Sequence, residues 1–246
     1  MYKHNNSASR IHALLTKAMS QPDKALYQVL ADVFDVHGAD DAATGQLVLP
    51  RLNWFYVELD LLEAQVRSTQ ISTHLYNGAF TRVRMVISPI YLSAGWQGMR
   101  GNLTPDVLLA LAFLSELLPD EEAAIPPGEL EEIAAEVEAL TKLVRDAVIP
   151  EALRHLIEHQ LLLIRLALDQ YPIHGAKAFR EAGRTALGEI IETRETSGVP
   201  VKDSEELSRL GKLWKRVNSS TDVALKMEKV GQLGYRAWEA LNAWLQ

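Results

Sequence analysis

The sequence contains no cysteine among its 246 residues. A chain without thiols forms neither a disulfide framework nor a thiolate metal site, and it has no cysteine nucleophile. The first ten residues, MYKHNNSASR, are polar and do not resemble the apolar core of a secretory signal. We therefore expect a cytoplasmic protein, because thiol-free chains without a leader are compatible with a reducing compartment.

Long apolar runs are also missing. The longest charge-free segment, residues 85–99, has 15 residues and is interrupted by Pro89, Gly95 and Gly98. A helix needs about 20 continuous apolar residues to cross a bilayer. The sequence therefore predicts no membrane-spanning helix and no membrane partner.

Acidic residues are absent from one segment and concentrated in another. Residues 64–105 contain four arginines and not one Asp or Glu. Residues 116–146 contain ten acids and two bases, a balance of −8, whereas the whole chain has a net charge of −7. The negative charge is thus confined to one region, and the overall sign argues against broad nucleic-acid binding.

Apolar residues at helical spacing are present along almost the whole chain. We predict an all-α fold, an irregular multi-helix bundle of nine or ten helices with no significant sheet. Pro22 and Pro50 are predicted to open helices, and a helix is expected to kink or stop near Pro89. Thr104 and Pro105 are predicted to begin a helix that is apolar on every side, and therefore central and buried.

An acidic loop at residues 119–128 suggests where the chain divides. We predict an N-terminal helical bundle over residues 1–118 and a C-terminal helical bundle over residues 129–246. One continuous domain is also compatible with the pattern.

Four local features are predicted within the C-terminal bundle. Helices are expected to break at residues 171–175 and at residues 218–221. Asp203 with Glu206 has the spacing of a capping box, and a last helix is expected within residues 227–245.

The segment His155-Leu-Ile-Glu-His159 matches the H-x-x-E-H pattern of inverted zinc metalloproteases. Histidines four residues apart share a helix face and could ligate zinc, with Glu158 as general base. Glu189 or Glu192 could supply a third ligand. The same letters also fit the exposed face of an ordinary amphipathic helix, and we favour that interpretation. We therefore predict no metal ligand, no cofactor and no catalytic residue.

The acid-free segment supplies the candidate binding residues. Arginine makes bidentate contacts with carboxylate or phosphate, and an exposed tryptophan in a glycine-rich loop would serve as an aromatic anchor in an interface. We expect this segment to meet an acidic surface, such as residues 129–138 of another copy or an acidic face of a protein partner. Pairing with the acidic segment of the same molecule is also compatible with the sequence. The predicted partner- or anion-binding residues are Arg67, Arg82, Arg84, Trp96 and Arg100.

These patterns favour a non-enzymatic helical protein that works through protein–protein contact, as a regulator, an adaptor or an assembly subunit. The alternative is nucleic-acid, nucleotide or anion binding through residues 67–100, where arginines alternate with aromatic rings. A zinc hydrolase built on His155, Glu158 and His159 is a distant third. The basic stretch GKLWKRVNSS adds little support for nucleic-acid binding, because Trp214 lies on an apolar stripe and is expected in the core.

Overall fold

The computed structural model describes residues 4–121, 123–197 and 205–225, and it describes their side chains except for 192–197 and 221–225. Ten α-helices form the framework of these residues. The described residues contain no β-strand, and their one β-bridge joins Ala25 to Gly95. The predicted all-α, multi-helix fold is therefore confirmed.

The chain divides into two compact units. The first comprises Met1–Glu121 and Pro172–Gly175, and the second comprises Glu122–Tyr171 and Ala176–Gln246. No sequence signal indicated that the short segment Pro172–Gly175 belongs to the first unit. Whether the two units are the independent bundles expected from the sequence stays a prediction.

Six helices belong to the first unit. They are α1 (Ser7–Met19), α2 (Leu26–Phe34), α3 (Asp41–Arg67), α4 (Asn77–Val86), α5 (Trp96–Arg100) and α6 (Pro105–Leu117), with 3-10 turns at Thr73–Leu75 and Pro89–Tyr91. Helix α1 packs against α6, α2 packs against α3, and α4 packs against α6. A single apolar core runs through all of them.

Asn6 connects the start of α1 to the end of α6. Its side-chain oxygen accepts a hydrogen bond from the Ser9 backbone N–H at 3.0 Å, which caps α1. Its amide nitrogen donates to the carbonyls of Ser115 and Leu118 at 3.0 and 3.1 Å. One buried amide therefore satisfies backbone groups that two helix ends leave without partners.

The junction between α2 and α3 depends on a close backbone approach. Asp35 ends α2 in the left-handed conformation, and Asp40 caps α3 by accepting from the Ala43 N–H at 2.7 Å. The Gly38 N–H donates to the Thr44 hydroxyl at 3.0 Å. A Cβ at Gly38 would lie 2.5 Å from backbone atoms of Ala43 and Thr44, so this position accepts only glycine.

The two prolines predicted to open helices do not do so. Helix α2 begins at Leu26, four residues after Pro22, and α3 begins nine residues before Pro50, which lies inside it. Asp40 caps α3 earlier, and this cap outweighs the proline as a start signal. In the turn that the proline disturbs, the Arg51 guanidinium donates to the Leu47 carbonyl at 2.9 Å.

Two predictions near α6 have opposite outcomes. Helix α4 ends at Val86, before Pro89, and Thr104 and Pro105 begin α6, as expected. The predicted burial of α6 on every side is wrong. One face of the helix packs into the core, whereas Leu109, Phe113 and Leu117 on the opposite face are exposed.

The second unit contains α7 (Pro127–Asp146), α8 (Glu151–His174) up to Tyr171, α9 (Lys177–Ser197) and α10 (Glu205–Leu225). Helix α10 packs against α7 and α9. The buried residues of α7 are spaced alternately four and three residues apart, and they are Ile133, Val137, Leu140 and Val144. Helix α8 continues through Pro172 but ends at His174, and the chain turns at Gly175, so the break predicted within residues 171–175 is confirmed at its last residue. Helix α10 continues through residues 218–221, so the break predicted there is wrong. Asp203 and residues 227–245 lie outside the described residues. Within the described part of the chain, no helix is long and apolar enough to cross a bilayer.

Candidate interaction surface

Two of the predicted binding arginines are neutralised by α3. The Arg84 guanidinium lies 2.7 Å from Asp60 and 2.5 Å from Glu63, and Arg67 lies 2.5 Å from the same Glu63. Burial lowers the pKa of Arg84, but hydrogen bonds to Glu63 and Asp60 outweigh it and raise the pKa above its usual value. These two cations already have anionic partners in their own chain.

Trp96 is not the exposed anchor that the sequence suggested. Its side chain is 1% exposed and lies in the core of the first unit. The backbone on either side is held by hydrogen bonds, with Trp96 N–H donating to the Lys24 carbonyl and Leu26 N–H donating to the Ala94 carbonyl, both at 2.8 Å. The flanking glycines suggested an open loop, but these bonds and the start of α5 turn the indole inward.

Arg82 and Arg100 remain available at the surface. Both are exposed, and the Arg82 guanidinium donates to the Thr104 hydroxyl at 3.0 Å, at the N-terminus of α6. Arg100 ends α5, four residues before Thr104. Among the residues that the structure describes, neither arginine has a carboxylate partner. Asp106 is also exposed in the first turn of α6, so the exposed charges near the start of this helix are of both signs.

The outer face of α6 carries an exposed apolar ridge, which we call the α6 stripe. It consists of Leu109, Phe113 and Leu117, which are 69%, 49% and 48% exposed. Residues four apart on an α-helix form the ridges that pack into grooves of a facing helix. At 1.5 Å per residue, the stripe extends for about 12 Å along the helix.

The C-terminal end of the α6 stripe is acidic. Glu116 and Asp120 are both exposed there, and His4 lies between them, 3.3 Å from the first carboxylate and 3.2 Å from the second. The helix dipole adds to this polarity, because its negative end is the C-terminus. The C-terminal end of α6 thus carries two exposed carboxylates in contact with His4.

The histidines of the metalloprotease-like segment have carboxylate partners. His159 Nδ1 lies 2.7 Å from Glu189, and His155 Nε2 lies 3.5 Å from Glu151. His155, Glu158 and His159 are all exposed, as expected for the solvent face of an amphipathic helix. In the part of the chain that the structure describes, no three His, Cys, Asp or Glu side chains form a group able to hold a metal ion.

The buried charges of the first unit were missed at the sequence level. The Glu58 carboxylate is fully buried, and it accepts a hydrogen bond from Arg10 at 2.9 Å and contacts His174 Nδ1 at 2.8 Å. The Arg10 guanidinium also donates to Glu121 at 2.7 Å. A signal was present, because Glu58 lies three residues after Phe55 on the buried stripe of α3. The enclosure of this cluster suits a structural role better than catalysis.

The second unit buries an amide where the first buries a carboxylate. The Gln160 side chain is fully buried, and its oxygen accepts a hydrogen bond from the Trp214 indole at 3.0 Å. Its nitrogen donates to the Ala186 carbonyl at 3.3 Å and to Glu189 at 3.1 Å. Trp214 is buried, so its predicted place in the core is confirmed.

A groove between α7 and α10 has mixed charge. It encloses about 480 Å³ and includes Glu129, Lys212, Lys215 and Arg216 in its wall. Arg216 pairs with Glu132 and Glu136, and Ser220 donates to Glu129 at 3.2 Å. Because α7 carboxylates compensate part of the positive charge, the groove has no strong preference for an anion.

Comparison with known proteins adds no assignment. No protein-family model matches the chain, and neither the curated proteins nor the solved structures include one that matches it.

Proposed function

We propose that this protein is a non-enzymatic interaction or assembly protein, and that the α6 stripe is the surface through which it contacts another protein. The observation that carries the proposal is the exposure of Leu109, Phe113 and Leu117 on one face of a helix. Regulatory or assembly duty in the cytoplasm stays a prediction from the sequence.

The energetics favour coverage of this stripe. Single exposed apolar residues are common on protein surfaces, but three on one ridge form a contiguous patch of the kind that marks an interaction site. Complete burial of a Leu or Phe side chain contributes about 1.5–3 kcal/mol. Docking of a second helix along the ridge would thus supply several kcal/mol, which supports a specific contact.

The proposed surface differs from the one expected from the sequence. Of the predicted residues, only Arg82 hydrogen-bonds to the N-terminus of α6, through Thr104. Arg67 and Arg84 are paired internally and Trp96 is buried, so none of these three belongs to the proposed surface. The nucleic-acid alternative loses support for the same reason. Base stacking needs accessible rings, and of the four rings in residues 67–100 only Tyr91 is exposed, whereas Tyr76, Phe80 and Trp96 are buried.

A site-specific photo-cross-linker tests the proposal, because it captures a bound protein of any identity. Benzoylphenylalanine placed at Phe113 should give discrete protein adducts in cells that express the full chain. The matched control is the same probe at Leu162, which is 45% exposed and lies in the second unit, compared with 49% for Phe113. Because the two positions are similarly exposed, nonspecific cross-linking would give similar adducts at both.

A second variant makes the test specific to the stripe. With the probe at position 113, Leu109→Asp should abolish the adducts, because a carboxylate on the ridge opposes burial. The proposal fails if positions 113 and 162 give the same pattern or no adducts. It also fails if the adducts at position 113 are digested by nuclease, which would instead support the nucleic-acid alternative.

A further inference from the structure

We infer that Asn77 is a self-modification site, at which the chain converts this asparagine into aspartate and isoaspartate through attack by the backbone nitrogen of Gly78. The modification involves none of the residues of the α6 stripe, so it is independent of the proposed function. It is supported by the Asn-Gly dipeptide, by the exposure of both residues and by the absence of hydrogen bonds to the two reacting groups.

Asn77 is the only asparagine in the sequence that a glycine follows. The reaction requires the backbone nitrogen of the next residue to reach the side-chain carbon of the asparagine. A Cβ on that next residue crowds the approach and restricts its backbone, whereas glycine does neither. Among the asparagines of this chain, position 77 therefore has the least hindered nucleophile beside it.

Both reacting groups are accessible. Asn77 and Gly78 are exposed, and α4 begins at Asn77. The first N–H groups of a helix have no acceptor within that helix. Within the described residues, neither the Gly78 N–H nor the Asn77 side chain makes a hydrogen bond. The nitrogen and the side-chain carbon are therefore both available for reaction.

Little structure has to open for the attack. Asn77 is the first residue of α4, and its carbonyl accepts a hydrogen bond from the Thr81 hydroxyl at 3.0 Å. The ends of a helix open at much lower free energy than its centre. Opening of this one turn lets the backbone rotate until the Gly78 nitrogen meets the Asn77 side-chain carbon.

The reaction is balanced with water as its only co-reactant. The Gly78 nitrogen loses its proton and bonds to Cγ of Asn77, while the Cγ–Nδ2 bond breaks, so ammonia leaves and a succinimide ring forms. Water then opens the ring. Cleavage of the new bond at Cγ gives aspartate, whereas cleavage at the main-chain carbonyl carbon of Asn77 gives isoaspartate, in which the backbone runs through the side chain.

The product changes the charge of the acid-free segment. Residues 64–105 contain four arginines and no acid, so the new carboxylate is their first negative charge and takes the net charge of the chain from −7 to −8. An aspartate in the first turn of α4 is stabilised by the positive end of the helix dipole. Isoaspartate lengthens the backbone and should displace the carbonyl that Thr81 contacts.

Incubation of the purified full-length protein at mildly alkaline pH tests the inference, because the deprotonated nitrogen is the nucleophile. Peptide mass spectrometry measures the replacement of NH by O at each asparagine, and electron-transfer fragmentation distinguishes aspartate from isoaspartate. Asn77 should be converted fastest, and both products should be present. Asn53 is the matched control, because it is also exposed but lies in the middle of α3 and precedes Trp54.

Two variants test the route. Gly78→Ala should lose most of the conversion and keep the fold, because a Cβ at position 78 would meet open space. Asn77→Gln should lose it as well, since the longer side chain does not form the same ring. Far-ultraviolet circular dichroism checks that both variants keep their helices. The inference is overturned if Asn77 is converted no faster than Asn53, or if Gly78→Ala is converted as fast as the wild type.

Discussion

Each unit has a fully buried polar side chain within the body of a long helix, and these two side chains differ in charge. In the first, the fully buried Glu58 carboxylate is held by Arg10 and His174. In the second, the fully buried Gln160 amide is held by Trp214 and by acceptors on α9. One chain therefore contains a charged and a neutral solution to the same problem, which is to place polar atoms among apolar side chains.

A buried carboxylate and a buried amide differ in the partners that they require. A buried carboxylate loses several kcal/mol of hydration, so it requires opposite charge as well as hydrogen bonds. Glu58 obtains its opposite charge from Arg10 on α1 and a further contact from His174 in the segment Pro172–Gly175, and these two residues are far apart in the sequence. A buried amide requires only donors and acceptors in the right directions. The first unit should therefore be more sensitive to the loss of a single partner.

The largest expected effect comes from removing the cation of the first unit. Arg10→Met leaves the buried Glu58 carboxylate without this guanidinium, and loss of one member of a buried ion pair costs about 3–5 kcal/mol. Hydrogen exchange measured by mass spectrometry should show lower protection in α1 and α3. Peptides of α9 and α10 in the second unit are the internal control.

Removing both members of the pair sharpens this test. The double variant Glu58→Met with Arg10→Met should be less destabilised than the sum of the two single variants, because no carboxylate is left without its cation. Additive losses would show that the pair contributes no coupling, and the proposed contrast between the units would then be wrong.

A smaller effect is expected in the second unit. Gln160→Leu leaves the Trp214 indole N–H without an acceptor, which costs about 1–3 kcal/mol. Gln160→Glu should be the more damaging change at neutral pH, because it places a carboxylate against the Ala186 carbonyl and Glu189. Hydrogen exchange in α8 and α9 measures both variants. If Gln160→Leu and Gln160→Glu lowered the protection from exchange equally, the interpretation that this site requires a neutral side chain would be contradicted.

The smallest expected effect is a pH dependence confined to the first unit. Burial lowers the pKa of His12 below its usual 6.5, so the unfolded chain binds its proton more readily than the folded chain does. Stability should therefore fall as the pH drops through about 6.5. His12→Gln should flatten this decline in α1 peptides while leaving the pH response of α10 peptides unchanged, and an unchanged α1 response would show that His12 does not contribute.

The helical content could be predicted from the sequence because 3.6-residue periodicity survives wherever one helix face is buried. The burial of a whole helix could not be predicted in this way. The apolar residues of α6 indicate that every face of the helix could be buried, but they do not show whether other parts of the chain bury it. Leu109 and Phe113 are exposed, so one face is not buried. The same error concealed the proposed interaction surface, because a helix assigned to the core is not considered as a binding site.

The candidate site was only partly predictable for a second reason. Composition revealed the acid-free segment, but pairing depends on three-dimensional contacts between α3 and α4, which brought Asp60 and Glu63 to Arg84. Trp96 was misjudged because neighbouring glycines are typical of loops, while the hydrogen bonds that turn it inward join residues about seventy positions apart. Glu58 was the opposite case, since its place on an apolar stripe was a readable sign of a buried charge.

The tight approach at Gly38 has a consequence for how this chain can vary. The first turn of α3 occupies the space that a side chain at position 38 would need. A side chain at Gly45, in the next turn, would meet open space. Saturation mutagenesis should accept many residues at position 45 and almost none at position 38. Any evolutionary relative that keeps this corner of the fold is expected to keep a glycine there, so that single position is a marker by which distant homologues could be recognised.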